Sequence, residues 1–430
     1  MAAIHFRLLS LYVFGIRYSG QFQYWLVFSR TDLITRESLN VWLTLLRLMV
    51  RVTCLIRESD QEDWPWLYSL FLFNSFMILI ITYIGDYFYF YLFFEISMGP
   101  VYIIIFGWGG RSRLEAAYKI LYWTLVLGGP LIAILYCYKY GEYDHGNIIN
   151  VNFDKNYPFA EFITYRQKMG WWWVAGGFLV KIPVFIFHGW LPLAHSNASL
   201  SGSMLLAGML IKLGILGIFR FASVLYQQNN INSFLIVLCI WGFISISLTC
   251  VITRDLKTVV AYRSIVHMAL IIVFVVNYGL NSKALTLFIS FTHAVTSIMI
   301  FLYSFYQYQL RGTKHPLFSS HRLRMDAKFV GYILATVLGN RGLPPFAAIF
   351  WEVYAIACSS TWCFDIFFLV FLGLLFVAAF HIFPWVIFRK GVDDYLNKVE
   401  SQLTLDDHRT FIYIIFSNFC ITGLIHLFIL

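Results

Sequence analysis

Apolar runs long enough to cross a bilayer recur along most of this chain, and they restrict its fold more than any other feature. A span needs roughly 20 mostly apolar residues. About ten such runs are unambiguous, near 66–84, 87–107, 115–138, 170–190, 202–225, 231–252, 257–277, 283–308, 329–358 and 361–388, and one more runs from 409 to 430. Segment 39–56 is apolar but carries Arg47 and Arg51, which fits a short or tilted span or an interfacial helix. Charged residues make up 12% of the chain, about half the share usual in a globular domain. The expectation is an all-α fold, a polytopic transmembrane helix bundle of about 11–12 spans.

The net charge of +9 does not point to nucleic acid, because the basic residues sit in short loops between the apolar runs. Alternating the spans across the bilayer puts Arg111, Arg113, Arg254, Lys257, Arg311, Lys314, Arg322, Arg324, Lys328, Arg389, Lys390, Lys398 and Arg409 on one side. Lys139, Lys155, Arg166, Lys168, Arg220 and Lys283 fall on the other. The bias of about two to one assigns the richer side to the matrix or cytoplasm. The seven cysteines form no CxxC pair. Cys137, Cys239, Cys250 and Cys358 lie in or beside spans and read as inert buried thiols. The N-terminal stretch MAAIHFRLLSLYVFGIR fits either a transit peptide or a short amphipathic segment. The 43 phenylalanines exceed what packing requires and read as the codon bias of an AT-rich, organellar genome.

The spans divide into two five-helix blocks, 66–225 and 226–388, preceded by a shortened region 1–65 and followed by a loop and last helix, 389–430. An odd number of spans per block gives the blocks opposite orientations, so they form inverted repeats. The fourth span of each is broken by proline: Pro183 in FLVKIPVFIFHGWLP, Pro344 and Pro345 in ATVLGNRGLPPFAAIFWEV. Proline removes a backbone donor and clashes with the preceding turn. Broken helices at matching places in inverted halves point to a transport site, although a membrane helix also tolerates proline without function.

Charges stand where the hydrocarbon penalises them. Lys181 and Lys212 fall inside spans, Glu95 lies in FYFYLFFEISMGPVYIIIF, and Glu352 follows the second break. Each costs about 2.5–3.5 kcal/mol at mid-membrane, so such residues face protein or water. Glu95, the one deep acid of the first block, is the natural partner of Lys181. That pair is either a static brace or a coupling element. Lys212 has no acid within sequence reach and lies about midway through its span, away from either interface. Desolvation penalises a buried ammonium, which suits a group that gains and releases a proton. His188 and His195 flank an expected break at Trp190-Leu191-Pro192, and His267 and His293 lie within adjacent spans. Histidine suits a proton chain, a packing role competes with that, and haem ligation by His267 and His293 is a third reading. No Gly-rich phosphate loop, cysteine cluster or acidic metal cage is present.

The run KIPVFIFHGWLPLAHSNASLSGSMLLAGMLIKLGILGIFR, from Lys181 to Arg220, resembles the signature of the antiporter-like membrane subunits of respiratory complex I. DLKTVVAYRSIVHMAL, FTHAVTS, the LPP break before Glu352 and FFEISMGPVYII extend the resemblance over about residues 66–388. The glutamate after LPP resembles the chain 4 branch, whereas the chain 2 and chain 5 branches tend to carry lysine there. The resemblance implies a proton-translocating membrane-arm subunit of NADH:ubiquinone oxidoreductase in the mitochondrial inner membrane, with a bacterial inner membrane as the alternative. A cation/proton antiporter subunit or a non-pumping scaffold are the competing readings. Glu95 and Lys181 would form the coupling pair, Lys212 the central relay, His267 and His293 the connection, and Glu352 the exit group, with His188 and His195 secondary. No cofactor is expected in this chain. NADH, FMN, iron–sulfur clusters and ubiquinone would belong to partner subunits.

Three departures stand out. Ser199 replaces the usual proline, and Arg263 stands where serine is common. The family also places three helices before the span at 66–84, more than 65 residues hold, so an accessory subunit, a separate fragment or a lipid such as cardiolipin is expected against that flank.

Overall fold

The computed structural model describes residues 64–140, 170–221, 229–253, 255–278, 283–311, 327–340 and 409–417, together with scattered positions between 44 and 53 and between 346 and 373. The described chain is built of helices: α1 (Trp64–Tyr83), α2 (Tyr87–Ile96), α3 (Met98–Trp108), α4 (Arg113–Tyr140), α5 (Gly170–Lys181), α6 (Trp190–Asn197), α7 (Leu200–Leu205), a π turn (Leu206–Leu210), α8 (Ile211–Arg220), α9 (Asn229–Ile252), α10 (Leu256–Tyr278), α11 (Lys283–Arg311) and α12 (Ala327–Asn340). Among the described residues, six stretches are long and apolar enough to cross a membrane: Pro65–Tyr83, Tyr87–Trp108, Arg113–Tyr136, Leu200–Arg220, Leu256–Val275 and Phe288–Tyr306. The second proline break, Glu352 and most of the spans expected at 329–358 and 361–388 lie outside the described residues.

The span Leu200–Arg220 is the axis of the bundle. All of its most apolar window is buried, against 28% for Arg113–Tyr136. Around it, α5 packs on α8, α11 packs on α7 and on the π turn, and α10 runs between α9 and α11. Helix α6 lies against both α4 and α10. The outer faces of α4 (Tyr118, Tyr122, Leu125, Tyr136) and α9 (Phe234, Val237, Trp241, Leu248, Ile252) are exposed and apolar. A bilayer accepts such faces at no cost, whereas water would not.

Spans read as continuous from sequence prove to be interrupted in two places beside the expected break. The run 87–107 turns at Ser97, where α2 ends and α3 begins. Pro100 has no N–H for the carbonyl of Ile96 and its ring crowds that position. The buried Asn74 side chain of α1 holds the turn by donating to the Ser97 carbonyl at 2.8 Å. The run 202–225 contains the π turn. The break expected at Pro183 occupies 182–189, but the one expected at Trp190-Leu191-Pro192 is absent, because those residues open α6. Proline in a first turn forgoes no helical bond, so Pro192 starts a helix while Pro183 stops one.

Ser199 explains one departure from the family. Its φ of −57° is the value proline enforces, and its hydroxyl accepts from the Gly202 N–H at 3.3 Å. It therefore keeps the backbone shape and adds an N-cap.

Candidate functional site

Glu95 sits on the last turn of α2 and Lys181 on the last residue of α5. Their charged ends meet at 3.3 Å, between Lys181 Nζ and Glu95 Oε2, and both side chains are largely removed from solvent. The ammonium also lies 5.0 Å from the centre of the Phe94 ring, a cation–π contact that aids a desolvated cation. In low dielectric the pair is held only while both members are present, because removing one leaves an uncompensated charge.

The break after Lys181 is satisfied bond by bond. Pro183 has no N–H to give the Leu179 carbonyl, and Val184 N–H takes that acceptor instead at 3.2 Å. The indole N–H of Trp190 donates to the Val180 carbonyl at 3.0 Å. These bonds close the open end of α5, whose last carbonyls have no helical partner. Ile186, within the break, has φ of +82°, a conformation costly for a β-branched residue. At the far end of α6, Asn197 is gripped by the loop after α3. The Gly110 N–H donates to its carbonyl at 2.7 Å and the Ser112 hydroxyl to its Oδ1 at 2.8 Å. The Lys257 ammonium donates to the next carbonyl, that of Ala198, at 3.1 Å.

Lys212, on the first turn of α8, is fully buried. In place of an acid it has a carbonyl and an imidazole. The π turn makes the first possible. The Ile211 N–H reaches back to the Leu206 carbonyl, five residues earlier rather than four. The widened turn lets the Lys212 ammonium bond the Ala207 carbonyl. π turns inside α-helices often mark functional sites for this reason. The second contact is with His293 Nδ1 of α11, at 3.1 Å. The His293 ring in turn lies 5.2 Å, centre to centre, from that of His267 on α10. The two imidazoles are therefore direct neighbours. Arg263, one turn before His267, is only 7% exposed and is turned inward, within electrostatic reach of both imidazoles.

The structure thus brings together two groups: Glu95 with Lys181, and Lys212 with His293 and His267. The groups are joined by close packing of α5 on α8. A Cβ on Gly214 would overlap the side chain of Ile182, which follows Lys181, and a Cβ on Gly217 would overlap the ring of Phe178. His188 lies half-buried within the break, stacked on Phe185. His195 is completely buried on α6, stacked on Phe301 with centroids 4.5 Å apart. Lys212 and Lys257 are both within its electrostatic reach. Glu352 lies outside the described residues. Among the described residues no three metal-binding side chains come together.

Sequence reading missed two contributors. Arg220 closes the signature run because its guanidinium bonds the carbonyls of Thr82 and Ile84 at the end of α1 and lies 4.6 Å from the Phe90 ring. A cation at a helix C-terminus is favourable. Tyr91, one turn before Glu95, is completely buried and lies against it. Its spacing of four residues on one helix was the available signal.

The family model described as "NADH:quinone oxidoreductase/Mrp antiporter, TM" matches residues 85–378. NADH-ubiquinone oxidoreductase chain 4 of Artemia franciscana is 30% identical over 326 residues, covering 75% of this chain and 80% of the relative. NADH-quinone oxidoreductase subunit M of Rickettsia bellii is 34% identical over 261 residues, covering 59% and 51%. A chain of respiratory complex I from Thermus thermophilus with bound NADH superposes with a TM-score of 0.75 at 19% identity, over 92% of this chain and 83% of that one. At that identity it speaks for the fold alone. The chain is a multi-pass membrane protein that belongs to the NADH:quinone oxidoreductase/Mrp antiporter transmembrane family, on the side of its complex I chain 4 and subunit M members.

Proposed function

We propose that this chain is a proton-translocating membrane-arm subunit of NADH:ubiquinone oxidoreductase, and that its own buried side chains carry the proton. The observation that carries this reading is Lys212. An ammonium at the centre of the bundle, held by a bared carbonyl and an imidazole rather than by a carboxylate, has a neighbour able to take its proton and no opposite charge in those contacts to trap it. Glu95–Lys181 would then modulate Lys212 electrostatically across the α5–α8 contact, and His293 and His267 would lead the proton on toward Glu352. Electron transfer, with NADH, FMN, iron–sulfur clusters and ubiquinone, belongs to partner subunits. The setting is the mitochondrial inner membrane, beside the other membrane-arm subunits.

Lys212→Met keeps the volume of the side chain and removes the ammonium. In the assembled complex, reconstituted into vesicles, it should lower proton pumping and coupled quinone reduction about tenfold, the effect of a barrier raised by about 1.4 kcal/mol. Assembly should be retained. Pumping at the unaltered rate would overturn the proposal. The family also includes Mrp antiporters, and an antiporter subunit would use the same buried lysines. The two separate on the purified assembly: oxidation of NADH belongs to the first, cation–proton exchange without NADH to the second.

A further inference from the structure

Beside the Glu95–Lys181 pair lies a polar group that the relay just described does not use. Tyr91 and Glu95 occupy the same face of α2, one turn apart. The Tyr91 side chain is 0% exposed. Its ring is fixed on two sides, stacked on Phe94 with centroids 5.5 Å apart and edge-on to Phe178, also at 5.5 Å. The hydroxyl projects into a space that two other helices leave open. A Cβ on Gly177 of α5 would overlap it. A Cβ on Gly128 of α4 would lie 3.0 Å from it and 2.7 Å from Glu95 Oε1. The phenol oxygen and the second carboxylate oxygen therefore converge over one glycine. Among the described residues neither has a hydrogen bond of ordinary length and angle, although they lie within interaction range of each other.

A phenol and a carboxylate oxygen buried side by side without a well-formed hydrogen bond between them are costly unless another state of the site completes it. The first carboxylate oxygen is engaged with Lys181 at 3.3 Å. If that ammonium moves away, Glu95 becomes a buried carboxylate without a cation, which a membrane interior strongly disfavours. A donor already in place lowers that cost. We propose that Tyr91 is a positioning residue that donates its hydroxyl hydrogen bond to Glu95 when Lys181 releases it, in a cradle kept open by Gly128 and Gly177. The phenol keeps its proton throughout and acts only by stabilising the released carboxylate. The inference rests on the relay reading, in which the Glu95–Lys181 pair opens and closes.

The test uses the whole assembled complex in vesicles. Tyr91→Phe preserves the ring and removes the donor. It should lower coupled turnover and pumping per assembled complex about tenfold, the factor expected when a buried carboxylate loses a donor. Gly128→Ala, whose methyl would part the two oxygens, should have the same effect. A further readout uses the unaltered complex with ring-deuterated tyrosine. Its infrared difference spectrum between resting and turning-over states should contain a phenol C–O band that Tyr91→Phe abolishes. A merely structural Tyr91 would lower the yield of complex and leave that spectrum unchanged. Lys181→Ala serves as the reference. If it lowers pumping while Tyr91→Phe does not and the band is unchanged, the role given to Tyr91 is wrong and the relay stands. If Lys181→Ala also pumps normally, the relay itself is wrong.

Discussion

Single side chains in this bundle act through the few atoms they face. Lys212 and His293 touch at 3.1 Å and should behave as one unit. His293→Phe is expected to lower pumping about as much as Lys212→Met, and the double variant no further, the non-additivity of groups acting in series. Pumping assays on the two singles and the double check this. Simple addition of the two losses would mean separate paths. Arg263 presents a different case. A serine is common at its position in the family, and here a buried guanidinium adds positive charge beside the two imidazoles. Arg263→Ser should assemble and pump at least as fast as the unaltered chain. Arg263→Glu should trap positive charge next to His267 and slow pumping about tenfold, an ion pair of about 1.4 kcal/mol being enough. Initial rates of proton release per assembled complex distinguish the two outcomes. Lys181→Ala, finally, should lower pumping and coupled turnover without preventing assembly, which separates a coupling pair from a static brace.

Between elements, the geometry depends on glycines at crossing points. Phe178 is wholly buried and ringed by Phe90, Tyr91, Phe94 and Phe221. It has nowhere to retreat from a methyl on Gly217. Gly217→Ala and Gly214→Ala should each destabilise the α5–α8 contact by about 1–3 kcal/mol, the usual cost of overpacking. The loss should appear as a lower melting temperature of the isolated complex. The same contact holds the two charged groups in register, so the helix break, the π turn and these glycines form one device. Proline ends α5 just after Lys181, the π turn widens the backbone just before Lys212, and the glycines let the two helices approach.

Across the whole molecule the usual order of a protein is altered, with apolar residues at the centre and at the rim alike and the charged groups threaded between. Cys239 and Cys250 are buried. Both should resist a membrane-permeant maleimide in the folded complex and react once it is denatured, as mass spectrometry would read. Early labelling of either would contradict the packing of α9 against α10. The ends of the bundle agree with the sorting of charges in the sequence. Loop residues Gly110 and Ser112, the end of α6 and Lys257 meet at one end, while Arg220 meets the end of α1 at Thr82 and Ile84.

Much of this was legible in one dimension. Membrane spans are visible because twenty apolar residues in a row have few other uses. Glu95, Lys181 and Lys212 are visible because a charge in hydrocarbon is expensive wherever the helix is placed. Pro183 marks a break because its missing donor is a property of the residue itself. Glycines, aromatic residues and backbone carbonyls carry no such signal. Membrane helices are rich in glycine, and this chain holds 43 phenylalanines, so Gly128, Gly177 and Phe178 look ordinary until the facing helix is in place. The turn at Ser97 depends on Asn74 reaching over from α1, and the closing of α5 depends on the Trp190 indole from beyond the break. The partners of Lys212 come from a widened backbone turn and from a helix 81 residues away. Residue types and their order mark which side chains are too costly to be idle. What each of them touches emerges only on folding, because hydrogen bonds and close packing act over a few ångströms between segments that lie far apart along the chain.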